Sequence, residues 1–136
     1  MFSHVTVGTR DLAAAARFYD AVFLPLGFDQ REVEPDGGPP SRCWVNSTIP
    51  LPRFYVYEPF DGKPATPGNG VMIAFLAPSK ETVDLVHAAA ISAGGTDRGR
   101  PGPRERYGEG YYGTYFLDLD GNKIHVAFRG DVLTQT

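Results

Sequence analysis

Apolar and polar positions along this chain fall into short alternating runs broken by glycine and proline, with two longer stretches at helical spacing. Residues 2–8 (FSHVTVG) alternate and are rich in β-branched side chains, which predicts a strand with Val5 and Val7 on one face and Phe2, His4 and Thr6 on the other. Asp11 is placed to cap a helix through LAAAARFYDAVF, where Leu12, Ala15, Ala16, Tyr19 and Val22 or Phe23 recur on one side. Pro25 and Gly27 end it. Strands follow at 28–33, 42–47 and 53–59, separated by the loop EPDGGPPS and by Pro50 and Pro52.

The same order then recurs. VMIAFLA (71–77) reads as an apolar strand, Ser79 as the cap of a helix ending at Gly94 and Gly95, and 96–100 as a short, weak strand. PGPRERYGEG (101–110) reads as a polar loop. Strands at 111–118 and 122–128 meet at the turn Asp118-Leu119-Asp120-Gly121-Asn122, a strong hairpin signal. The tail GDVLTQT is expected to fray. Shifted by half the chain length, His4 falls on Met72, Asp11 on Ser79 and Gly27 on Gly95. Strand, cap, helix and closing glycine agree together, so the chain reads as two copies of one unit.

Each copy is a βαβββ module, which makes the expected fold class α+β. Module one is placed at 1–60, a linker at 61–69 and module two at 70–130, all within one domain over 1–136. A helix covers one face of each mixed sheet. The other faces are expected to curl into a half-open cleft, the default binding site.

Composition narrows the partners. The 136 residues suit one compact domain, with an apolar fraction of 42% and a charged fraction of 21% close to the globular average. A net charge of −3 supplies no basic footprint for nucleic acid. No apolar run approaches a membrane span, and the N-terminal residues lack a leader pattern. Cys43 is the only cysteine, so no internal disulfide can form, and a cytoplasmic protein is expected.

Two stretches carry a resemblance. HVTVGTRDLAAAARFYDAVFLPLGF and YGEGYYGTYFLDLDGNKIHVAF resemble the opening and closing segments of small members of the glyoxalase/bleomycin resistance/dioxygenase (vicinal oxygen chelate) superfamily, with Leu119 where the closing turn usually has proline. The resemblance is strongest at 2–28 and 70–128 and weak between 34 and 69. It implies a divalent metal (Zn, Ni, Fe or Mn) in the cleft, a small-molecule substrate and a homodimer. Carried over residue by residue, His4 and His125 match ligand positions, while Met72 stands where histidine is usual and the fourth position falls near Tyr55. A thioether is a soft ligand ill suited to such ions, and a catalytic zinc normally has three protein ligands. The resemblance therefore implies a metal site whose set is incomplete here.

His4 and His125 lie on the cleft face by alternation and are the candidate catalytic acid/base pair, since imidazole titrates near neutral pH. They are expected to face one cavity. Tyr55 (or Tyr57), Met72, Arg104, Tyr107 and Tyr111 are candidate substrate contacts; arginine beside tyrosine suits an anionic or aromatic ligand. Met72 is most simply an apolar lining residue, His87 a peripheral helix residue and Cys43 a packed thiol on the strand face opposite Trp44. Three functions stay open: a metal-assisted lyase, isomerase or dioxygenase; a non-catalytic small-molecule binding or resistance protein; and a metal-free enzyme with a histidine base.

Overall fold

The computed structural model describes residues 1–133. Module one runs β1 (His4–Gly8), α1 (Leu12–Phe23), β2 (Phe28–Arg31), β3 (Ser41–Asn46) and β4 (Arg53–Tyr57). Module two runs β5 (Met72–Leu76), α2 (Lys80–Ser92), β6 (Thr96–Pro103), a single 3-10 turn (Glu105–Tyr107), β7 (Tyr111–Leu117) and β8 (Lys123–Arg129). A short helix α3 (Gly130–Leu133) follows. It replaces the first part of the tail expected to fray, and residues 134–136 lie outside the described residues.

Each module is a four-stranded mixed sheet, ordered β1-β4-β3-β2 and β5-β8-β7-β6, with the first strand parallel to the last. The two expected caps are made: the Asp11 carboxylate accepts from the Ala14 amide, and the Ser79 hydroxyl from the Thr82 amide. Each satisfies one orphan donor of a helix N-terminus. The largest departure is β6, which extends through residues 101–103 instead of stopping at 100. It is an edge strand with register shifts between Asp97 and Gly99 and between Gly99 and Gly102, where glycine and proline cost little pairing.

The modules join through their helix-packed sides. One apolar core contains Phe18, Tyr19 and Phe23 of α1, Val83 and Val86 of α2, and the inward residues of both sheets. Phe75 of β5 packs edge-on against Phe23 and Phe54 of module one, with centroids 5.1 and 5.5 Å apart. Such rings contribute beyond their buried area.

A polar latch reinforces this join. The Tyr19 phenol donates to Asp118 Oδ2 at 2.6 Å, and the Thr9 hydroxyl donates to Asp120 Oδ2 at 2.6 Å. The Arg10 amide donates to Asp120 Oδ1 at 2.8 Å, and Asn122 Nδ2 to the Gly8 carbonyl at 3.1 Å. The β7–β8 turn is thereby bolted to the β1–α1 loop of the other module. Burial pushes the Asp118 carboxyl up, opposed by its hydrogen bonds from Tyr19 and Asn122.

Candidate functional site

Register aligns the two modules residue by residue. His4 pairs with Arg53 and Thr6 with Tyr55; in module two Met72 pairs with Lys123 and Ala74 with His125. Tyr55 thus holds in module one the place of His125 in module two. Both lie on the sheet face away from the helices, as the alternation predicts.

His125 lies inside a group of tyrosines and cations. It is 2% exposed, although its face was expected to line an open cleft. The cover comes from β7: Tyr115 stacks on the imidazole with centroids 4.1 Å apart, and the Tyr111 hydroxyl lies 2.7 Å from Nε2. On the other edge Nδ1 lies 2.8 Å from the Thr114 carbonyl. A carbonyl only accepts, so Nδ1 carries the proton and Nε2 accepts from the Tyr111 phenol. The tautomer is set by geometry.

Cations ring this dyad. Arg129 lies over Tyr111 at 5.3 Å, Lys123 over Tyr115 at 5.1 Å and Arg106 over Tyr107 at 4.9 Å, within cation–π range. Tyr107 in turn packs on Tyr111, centroids 5.3 Å apart. Burial pulls the His125 imidazole below its usual range, against the Thr114 carbonyl and aided by Arg104 and Lys123. Burial pushes the Tyr111 phenol up while Arg129 opposes it, and the Arg106 guanidinium holds the Tyr107 phenol down.

The structure therefore brings together four of the expected residues, His125, Tyr111, Tyr107 and Arg104. Tyr115, Lys123 and Arg129 join them, residues to which alternation and spacing alone assign no role. His4 stands apart. It is exposed, its Nδ1 lies 3.0 Å from the Ser3 hydroxyl, and its ring meets Tyr55 edge-on at 5.4 Å. His4 lines a cavity of about 410 Å³ with Thr6 and Tyr57, and His125 is not among its lining residues. The two histidines do not face one cavity within this chain, because the modules meet through their helices and leave the other sheet faces apart. Met72 is 42% exposed on β5. Cys43 and Trp44 point to opposite faces of β3, yet both are buried. His87 contacts Asp97 at 3.0 Å on the surface.

The donor chemistry does not fit the divalent metal that the resemblance implies. Both nitrogens of His125 are engaged, one as donor and one as acceptor, so neither offers a free lone pair. Met72 is a thioether and His4 lies with Tyr55. Among the described residues no three of histidine, cysteine, aspartate or glutamate converge as an ion would require.

Gly113 makes room for the dyad. A Cβ there would stand 2.7 Å from His125 Cε1 and 3.2 Å from the Val126 carbonyl, and Tyr115 blocks retreat. Gly113→Ala should cost about 1–3 kcal/mol in urea unfolding through overpacking. An unchanged midpoint would show that the ring is free to move.

The buried imidazole also carries a pH signature. Below the unfolded value of about 6.5 the unfolded chain takes up a proton that the folded chain does not, so this group lowers stability as pH falls from about 7 to the depressed folded value. Unfolding compared at pH 7 and 5.5 should show a smaller loss in His125→Gln than in the parent. An equal loss in both would refute this assignment.

Residues 1–126 match the model of the Glyoxalase/Bleomycin resistance protein/Dioxygenase superfamily. Among solved structures, a glyoxalase/bleomycin resistance protein from Albidiferax ferrireducens T118 is 38% identical, with 95% of this chain and 98% of that chain covered and a TM-score of 0.80. A glyoxylase/bleomycin resistance protein/dioxygenase domain from Frankia sp. EAN1pec shares the fold at 16% identity, TM-score 0.72, over 94% and 96% of the two chains. The fosfomycin resistance protein FosX of Mesorhizobium loti does so at 22% identity, TM-score 0.65, over 95% and 92%. No curated protein matches the chain. Among the described residues no helix is long and apolar enough to cross a membrane.

Proposed function

We propose, from the premise that the chain belongs to the glyoxalase/bleomycin resistance protein/dioxygenase superfamily, that it binds an anionic aromatic small molecule on the module-two face and moves a proton there without a metal. The observation that carries this reading is the 2.7 Å contact between the Tyr111 hydroxyl and His125 Nε2. A base placed behind a phenol can act through it: as a substrate proton passes to Tyr111 Oη, the phenol proton passes to Nε2. An anionic substrate would offset Arg104 and Lys123, which disfavour the imidazolium, and so raise the basicity of His125 on binding. Arg104, Tyr107 and Tyr111 would then be substrate contacts.

His4, Tyr55 and Met72 belong to the second half of the site, which we place on a partner protomer. Exposed apolar side chains on these faces, Phe2 at 75% and Leu76 at 56%, support a homodimer. A buried, unpaired Cys43 is compatible with the cytoplasm. A binding or resistance function is the second reading, favoured by Met72 at a usual ligand position.

Phenylpyruvate is the test substrate, because it is anionic, aromatic and carries an acidic proton beside a carbonyl. EDTA-treated protein should accelerate exchange of that proton with deuterium oxide, followed by proton NMR. Binding without exchange would favour sequestration. Exchange that disappears with EDTA and returns with added zinc, nickel or manganese would overturn the metal-free reading.

A further inference from the structure

A wide cavity lies away from the His125 cluster, at the end of module one. Its volume is about 730 Å³, and Thr9 and Ala65 form a buried floor. It shares Pro39, Glu58, Pro59 and Phe60 with the 410 Å³ cavity lined by His4, Thr6 and Tyr57, so the two form one groove. Phe60 lines both and is 92% exposed. Pro40 and Pro64 complete walls whose backbone is held by proline rings.

Charges of both signs line this groove without neutralising one another. Arg10 is held at Nε by Asp120 at 3.3 Å, with its side chain 58% exposed. Among the described residues neither the Lys63 ammonium nor the half-buried Glu58 carboxylate has an ion-pair partner within 4 Å. Asp36 and Asp61 spend carboxylate oxygens on the backbone amides of Gly38 and Lys63. A ligand complementary to these walls carries a negative group for the two cations and a positive group for the acid.

We propose that this groove binds an amphoteric small molecule: a carboxylate at Arg10 and Lys63, an ammonium at Glu58, and an aromatic or aliphatic body along Phe60 and the prolines. Recognition of both charges on one compact ligand gives selectivity against molecules bearing either charge alone, because each would leave an opposing group without its partner. Although its far end borders His4, the groove would hold this ligand through Arg10, Glu58, Phe60 and Lys63, none of which takes part in the Tyr111–His125 proton transfer.

Three matched probes test it: L-phenylalanine, 3-phenylpropionate and 2-phenylethylamine, each titrated into the nitrogen-15-labelled protein and followed by amide NMR. L-phenylalanine should shift the amides of Gly38, Phe60, Lys63 and Ala65 and bind about fivefold more tightly than either singly charged probe. Glu58→Gln should remove the advantage over 3-phenylpropionate. Lys63→Glu should weaken both carboxylates, and both residues are accessible enough for the fold to persist. His125→Gln should leave the titrations unchanged, which separates this site from the proton-transfer reading. No shift at these amides up to the solubility limit, or equal affinity for all three probes, overturns the proposal. So does a Phe60→Ala variant that changes the oligomeric state without changing probe binding, since a second copy would then cover the groove.

Discussion

Asp118→Ala is expected to destabilise the chain by about 3–5 kcal/mol, the range for removing one partner of a buried charged network. Four donors converge on this carboxylate: the Tyr19 phenol at 2.6 Å, Asn122 Nδ2 at 2.9 Å, and the amides of Asp120 and Asn122, each at 2.9 Å. Asp118 is 5% exposed and Tyr19 1%, so water has little access to replace the lost acceptor. Each donor left unpaired costs its desolvation. At this chain length the loss corresponds to a fall in Tm of roughly 10–20 °C. Tyr19→Phe removes one donor and keeps the ring packed, so its cost should be smaller, about 1.5–3 kcal/mol. Because the carboxylate ties module two to α1, both variants should unfold in a single transition at a lower urea concentration. A loss below about 0.5 kcal/mol for Asp118→Ala, the scale of an ordinary surface substitution, would mean that the Asp118 bonds add nothing to the join between the modules.

The second large effect concerns proton transfer. Tyr111→Phe deletes the hydroxyl that donates to His125 Nε2 while keeping the ring between Tyr107 and Arg129. His125→Gln keeps a polar side chain but removes the base. Either should lower the phenylpyruvate exchange rate by about 10²–10⁴-fold, the usual contribution of a positioned acid or base. The double variant should lose little more than either single one, since residues that act as a unit are non-additive. His4→Ala, whose ring lies with Tyr55 on the other module, should bring a much smaller change within one protomer. A profile in which His4→Ala abolishes exchange and Tyr111→Phe does not would move the chemistry to module one.

Much of this architecture is legible in the chain. Val5 and Val7 alternate with His4 and Thr6, and Ile124 and Val126 with His125, so the two faces of the first and last strands follow from period two. The caps at Asp11 and Ser79 are local chemistry and were readable for that reason. What alternation does not carry is cross-strand register. That Tyr115 lies opposite His125, and that Tyr111 reaches its Nε2, depends on pairing between β7 and β8. The glycine in YYGTY was the one available signal, since a small residue between tyrosines marks a close approach. The Asp-Leu-Asp-Gly-Asn segment reads correctly as a turn, with Gly121 at φ +87°. Its carboxylates, however, meet partners 99 and 111 residues away in sequence, and no local pattern reports that. The edge strand β6 is longer than its pattern implies, because its glycines and prolines have the composition of a loop.

A buried, neutral imidazole with its proton on Nδ1 and the Tyr111 phenol on Nε2 is the centre of the proposed chemistry. The chain has only three histidines, so proton–nitrogen-15 NMR of the side chains can resolve each of them. The spectrum of His125 should show the Nδ1–H tautomer, and its protonation should come at lower pH than that of an ordinary imidazole. Tyr111→Phe should move its Nε2 resonance, and added zinc or nickel should not. An Nε2–H tautomer, an imidazolium at neutral pH, or a metal-induced shift of Nε2 in the parent protein would contradict the account at its centre.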